Sequence, residues 1–95
     1  MRVRWTRPSL NDLGEIQDFI AQHSLVAAHR PVKDLIKRIE HGLGSAPALG
    51  RPGRVPRTRE LVFADLPYIV VYRTRVDVEI LAVVHTARKW PEAFD

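Results

Sequence analysis

The chain has 95 residues, 45% of them hydrophobic and 27% charged, which fits one globular domain, residues 1–95, built around a single core. No apolar run approaches the ~20 residues of a membrane span, no signal-peptide core is visible, and cysteine is absent, so disulfide and thiolate chemistry are excluded and a cytoplasmic protein is expected. The net charge of +4 is unevenly spread: residues 24–59 carry eight basic side chains against Asp34 and Glu40, which suits an anionic partner or simply a solvated basic surface.

Arg2-Val3-Arg4-Trp5-Thr6 alternates polar and apolar residues, which predicts a short strand with Val3 and Trp5 on its inner face. Thr6 or Ser9 can cap the helix that follows; Ser9 has Asp12 three residues on, and Pro8 is tolerated in a first turn. Leu10, Leu13, Ile16 or Gln17, and Ile20 then recur at helical spacing, with Asp12, Glu15 and Asp18 toward the positive end of the helix dipole. Gly14 weakens such a helix by roughly 1 kcal/mol relative to Ala, and the close approach of another backbone would account for it.

The helix is expected to end around His23-Ser24, and a second to begin near Leu25 or Val26. Its apolar stripe is Val32, Leu35, Ile36, Ile39 and Leu43. Pro31 removes one hydrogen bond and crowds the preceding turn, so either the helix kinks near Ala27–Arg30 or its regular part starts at Pro31. The kink is preferred, because Val26-Ala27-Ala28 is compatible with helix. Gly42 and Gly44 supply the stop. From Ser45 to Thr58 periodicity is lost, and residues 46–57 contain three prolines, two glycines and three arginines. A long irregular connection in a small domain reads either as a functional basic loop or as a stiff soluble connector.

Three strands close the chain. Tyr68-Ile69-Val70-Val71-Tyr72 is apolar without a break and β-rich, so it is expected to be covered on both faces near the middle of a sheet. Arg59-Glu60-Leu61-Val62-Phe63 precedes it across Ala64–Pro67, and Val78–His85 follows across Thr74–Asp77, a link suited to a hairpin. The predicted fold is α+β: an N-terminal strand and a two-helix antiparallel hairpin packed on an antiparallel β-meander.

The chemistry is sparse. His23, His29, His41 and His85 are widely spaced and have no cysteine beside them, so no metal site is expected; no phosphate-binding glycine motif is present, and no cofactor is expected. His85 ends a strand with Arg88 three residues later, a pair that could serve as proton donor and phosphate clamp, or a histidine that simply bonds backbone. Trp90 reads as an anchor for the tail.

In their order and spacing, several segments resemble the RelE/ParE toxin superfamily of bacterial type II toxin–antitoxin systems, and its ParE-like, plasmid-stabilisation branch in particular. They are Val3-Arg4-Trp5-Thr6, Asp12-Leu13 with Glu15-Ile16, Gly50-Arg51-Pro52-Gly53-Arg54-Val55, Thr58-Arg59-Glu60-Leu61-Val62, Pro67–Arg73 and His85-Thr86-Ala87-Arg88-Lys89-Trp90-Pro91. The resemblance implies a small toxin that inhibits growth and is neutralised by an antitoxin encoded beside it. Operator DNA would be reached only through that antitoxin. ParE-like members poison DNA gyrase; RelE-like members cut mRNA on the ribosome without a metal. The cleaving members carry Arg directly after the first Tyr of the Tyr-x-x-x-Tyr strand, where this chain has Ile69, and a catalytic Tyr near the C-terminus, where it has Trp90-Pro91-Glu92-Ala93-Phe94. The resemblance therefore favours the gyrase poison, with the ribosome-dependent endonuclease as the alternative. Candidate catalytic residues for the latter are Arg59, Tyr72, His85 and Arg88; candidate contacts to target or antitoxin are Arg51, Arg54, Arg57, Arg59 and Arg88. A decayed toxin acting only as a co-repressor is disfavoured, because no low-complexity segment marks decay.

Overall fold

A computed structural model of the chain describes residues 1–23, 29–87 and 90. Its elements in order are β1 (Val3–Trp5), α1 (Arg7–His23), α2 (His29–Ser45), β2 (Arg51–Pro52), β3 (Arg59–Val62), β4 (Tyr68–Thr74) and β5 (Val78–His85). The strands form one sheet in the order β1-β5-β4-β3-β2, so the apolar run of β4 lies in the middle, as its composition predicts. Alternation sends Val70 and Tyr72 to the helix side, where they join Leu61, Val78, Ile80 and Val83, while Val71 meets Ala82 and Val84 on the opposite face. Val70, Val71 and Tyr72 are fully buried. Burial of each apolar side chain of this size contributes about 1.5–3 kcal/mol.

β3, β4 and β5 form the expected antiparallel meander, with Leu61 opposite Val70 and Val70 opposite Val83. A bulge intervenes, since Val71 pairs with Ala82 but Tyr72 with Ile80, leaving Leu81 as the extra residue. β1 runs parallel to β5, Val3 opposite Val78, and both Val3 and Trp5 pack against the core.

Thr6, rather than Ser9, caps α1. Its hydroxyl accepts the Ser9 N–H at 3.4 Å and its carbonyl the Leu10 N–H at 3.1 Å, while Ser9 sits inside the first turn and donates its own hydroxyl to the Thr6 carbonyl. Leu13, Ile16 and Ile20 face the core. Leu10 does not: it is 53% exposed, on the solvent side of the helix that Gly14 shares one turn later. Nothing lies within 4 Å of where a Gly14 side chain would begin, so no backbone approaches there and that expectation is corrected.

In α2, Val32, Leu35, Ile39 and Leu43 are buried as their spacing predicts. Pro31 falls in the first turn of the described helix, where a missing N–H breaks no helical bond. The start near Leu25 or Val26 and the kink near Ala27–Arg30 involve residues 24–28, outside the described residues. The helix also passes through Gly42 and Gly44 and ends at Ser45; the Met1 ammonium donates to the Gly44 carbonyl at 2.7 Å, which joins the end of α2 to β1. Within residues 45–58, expected to be wholly irregular, Arg51 and Pro52 pair with Glu60 and Arg59 as the edge strand β2.

Candidate functional site

The arginine-rich loop between α2 and β3 is bound to the sheet at three places, as either a functional basic loop or a stiff connector would be. The first is Tyr72. Its fully buried hydroxyl accepts the Gly50 N–H at 2.8 Å and donates to the Pro47 carbonyl at 2.8 Å. Burial, the larger influence, pushes this phenol above its ordinary value, against the lowering effects of the Gly50 N–H and the nearby Arg59 charge. A Cβ at Gly50 would stand 2.7 Å from the Tyr72 ring and hydroxyl, so only glycine lets the loop come this close.

Glu60 is the second anchor. Alternation along β3 turns it to the face opposite Arg59, where it is 3% exposed at the side chain. One carboxylate oxygen accepts Arg51 Nε and Nη2 at 3.2 and 2.9 Å; the other accepts the Arg54 N–H at 2.8 Å, with Arg54 Nε at 3.5 Å. Burial alone would raise the Glu60 pKa. The Arg54 N–H, the Arg51 hydrogen bonds and both arginine charges outweigh it and hold the carboxyl below its ordinary range. The Arg54 guanidinium also lies 3.7 Å from the centroid of Trp90, which packs on Val71, Ala82 and Val84.

The third anchor is Arg59, whose Nη1 donates to the Gly50 carbonyl at 2.7 Å. Between these points residues 53–58 form a tight turn: Gly53 N–H to Thr58 carbonyl, 2.8 Å, and Thr58 hydroxyl to Val55 carbonyl, 2.6 Å. Arg57 adopts a φ of 64°, the only positive φ at a non-glycine position among the described residues.

His85 stands elsewhere. It ends β5 opposite Tyr68, with ring centroids 5.6 Å apart in an edge-on arrangement, and its Nδ1 accepts the Ala87 N–H at 3.1 Å. It borders a cavity of about 280 Å³ between α1 and the end of β5, where Asp12 accepts the Val83 N–H at 2.9 Å. Arg59 faces Tyr72, four residues along β4 from Tyr68. At a strand rise of about 3.3 Å per residue, the Arg59 and His85 positions are about 13 Å apart along the sheet. The structure thus joins Arg59 with Tyr72 and separates both from His85; Arg88 lies outside the described residues. Of the five candidate contact arginines, Arg51 and Arg54 share Glu60, Arg59 holds Gly50, and Arg57 makes no hydrogen bond or ion pair with the described residues. The reading of the sequence overlooked Glu60 and Arg73. A lone acid next to Arg59, in a strand facing an arginine-rich loop, was the available signal for Glu60.

Residues 3–90 match the family described as ParE toxin of type II toxin-antitoxin system, parDE. The chain belongs to the ParE toxin family. It is also 46% identical over 91 residues to Y4kP of Sinorhizobium fredii (strain NBRC 101917 / NGR234), a protein provisionally designated a toxin, covering 96% of this chain and 94% of that one. Among solved structures it resembles a chain of a chromosomal ParDE TA system from P. aeruginosa, with a TM-score of 0.74 and 27% identity over 90% of this chain and 95% of that chain. The order of strand, two helices and meander in this ParE chain is thus that of a toxin–antitoxin component, and no helix among the described residues is long and apolar enough to cross a membrane.

Proposed function

We propose that this ParE chain is a cytoplasmic growth inhibitor that poisons DNA gyrase and is neutralised by a cognate antitoxin encoded beside it. The separation of Arg59 and Tyr72 from His85 carries the choice of target. Metal-free RNA cleavage needs its acid, base and charge-stabilising groups within hydrogen-bond reach of one phosphate. Here the backbone positions of the candidate groups are offset by about 13 Å along the strand direction, the Tyr72 hydroxyl is committed to Gly50 and Pro47, and buried Ile69 occupies the position where cleaving relatives are expected to carry Arg. A gyrase poison requires a binding surface and no proton transfer by the toxin.

Antitoxin contact falls on the Glu60 side of the sheet edge in this reading. Arg51 and Arg54 keep about half of their side-chain surface exposed while paired with Glu60, and Val62, on the same face of β3, is 46% exposed. Basic groups flanking an open apolar side chain suit an acidic amphipathic segment that folds on binding. Arg57, Arg59 and Arg88 are assigned to the target.

Expression from a tight promoter, with and without the neighbouring gene, tests the proposal. Growth arrest with a DNA-damage response, relieved by the neighbour, is expected. Arrest with mRNA cut in the ribosomal A site and no DNA damage would replace gyrase by the ribosome.

A further inference from the structure

The ends of β2, β3 and β4 enclose a cleft of about 380 Å³ to which Arg57, Arg59, Arg73, Thr58 and Thr74 contribute. That volume is at the small end of the roughly 300–1,000 Å³ usual for ligand pockets. We propose that it is a phosphate-binding site, and that its ligand is the phosphodiester backbone of a nucleic-acid strand, held without regard to base sequence.

The lining is cationic and contains no carboxylate. Arg57 projects from a backbone conformation that an L-residue adopts only under strain, and makes no hydrogen bond or ion pair with the described residues. Arg59 uses Nη1 on Gly50, which leaves its other donors. The Arg73 Nε bonds Glu79 at 2.6 Å, but that one carboxylate also receives Arg4 and has Arg75 at 3.9 Å. Of the lining arginines only Arg73 is paired with a carboxylate among the described residues, and that carboxylate lies outside the lining. Gly53 closes one wall, and a Cβ there would meet the Thr58 hydroxyl at 2.2 Å, so the turn that presents Arg57 depends on this glycine.

The make-up of the lining favours a nucleic-acid strand over an acidic polypeptide. Pro52 is the single apolar side chain in the lining, and a peptide that folds on binding needs apolar anchors as well as charge. The register sets Arg4 and Arg73 on either side of Glu79 on the outer face of the sheet, and Arg59, opposite Tyr72, on the other face, so Arg59 and Arg73 meet only at the strand ends that line the cleft. A guanidinium fork fits phosphate oxygens in pairs, and Arg57 with the remaining donors of Arg59 offers such forks at the cleft. The inference does not require gyrase to be the target, and its test contains no gyrase.

Fluorescence anisotropy of the purified chain with labelled single-stranded and duplex oligonucleotides of scrambled sequence, across a salt series, reads this site. Arg57→Gly removes the charge while accepting the positive φ, and is expected to weaken binding about tenfold for every sequence and to lower the salt slope by about one. Arg57→Lys should retain the slope. Lys37→Ala, an exposed charge on α2, should change neither quantity. Equal losses for Arg57→Gly and Lys37→Ala would overturn the site in favour of diffuse charge. Arg57-dependent binding of poly-glutamate without oligonucleotide binding would overturn it in favour of an acidic protein. Saturation by inorganic phosphate without oligonucleotide binding would overturn the strand and leave a free anion.

Discussion

Tyr72→Phe tests how the basic loop is held. The ring stays and the core volume hardly changes, so the perturbation is confined to the hydroxyl, which serves the Gly50 N–H and the Pro47 carbonyl. Gly50 is buried, so its N–H would lose its partner away from water, whereas Pro47 is half-buried and can recover water. Loss of a partner by a buried donor costs about 1–3 kcal/mol, and the total expected here is about 2 kcal/mol. In a domain of this size that lowers Tm by about 8–16 °C. The pH dependence carries the same signature. A phenol whose pKa is raised in the folded state stabilises fully below the unfolded value near 10.0 and loses that contribution as pH rises through the folded value. Tyr72→Phe should therefore flatten the alkaline decline in stability. Thermal melts at pH 7 and pH 10–11, with hydrogen exchange at Gly50, are the assay. A variant that melts within about 2 °C of the parent, with Gly50 protection intact, would refute the account of this anchor.

Four further outcomes are expected. Glu60 is held ionised below its ordinary range, so its contribution is present above the unfolded value near 4.5 and lost as pH falls through the folded value; Glu60→Gln should flatten the acid limb of a stability–pH curve and change the Trp90 fluorescence. Gly50→Ala should destabilise more than Tyr72→Phe in parallel urea titrations, because its Cβ would meet the ring and hydroxyl of Tyr72 at 2.7 Å and the Glu60 carbonyl at 2.9 Å. Arg59→Ala should lower toxicity at equal expression while circular dichroism stays native, with arrest scored by plating. His85→Gln should leave growth arrest intact, whereas Arg88→Ala should weaken it; the opposite pattern would point to proton transfer and an RNA-cleaving toxin.

Much of the fold could be read because burial and periodicity coincide. Val32, Leu35, Ile39 and Leu43 form an unambiguous stripe, and the unbroken run from Tyr68 to Tyr72 has only one reasonable place in a sheet. Errors arose where local pattern and tertiary setting diverge. Leu10 has helical spacing but lies on the solvent side of α1, next to the buried Ser9, and glycines at 42 and 44 end no helix when the chain continues to Ser45. β2 was invisible because two residues, one of them proline, show no periodicity; only the pairing with Glu60 and Arg59 makes them a strand. The site was legible in its charges but not in their pairing. Arg51, Arg54, Arg57 and Arg59 look equivalent in sequence, yet Glu60 takes two, Gly50 takes one, and Arg57 is left facing a cleft that also includes Arg73 from a strand distant in sequence.

The central claim is most directly tested with purified toxin, DNA gyrase and supercoiled plasmid, scoring protein-linked linear DNA after denaturation and proteolysis. Accumulation of linear plasmid that depends on gyrase, persists with His85→Gln and disappears when the antitoxin is added is the predicted result. An unchanged plasmid, together with codon-specific mRNA cuts in a reconstituted translation reaction that vanish with His85→Gln, would contradict it.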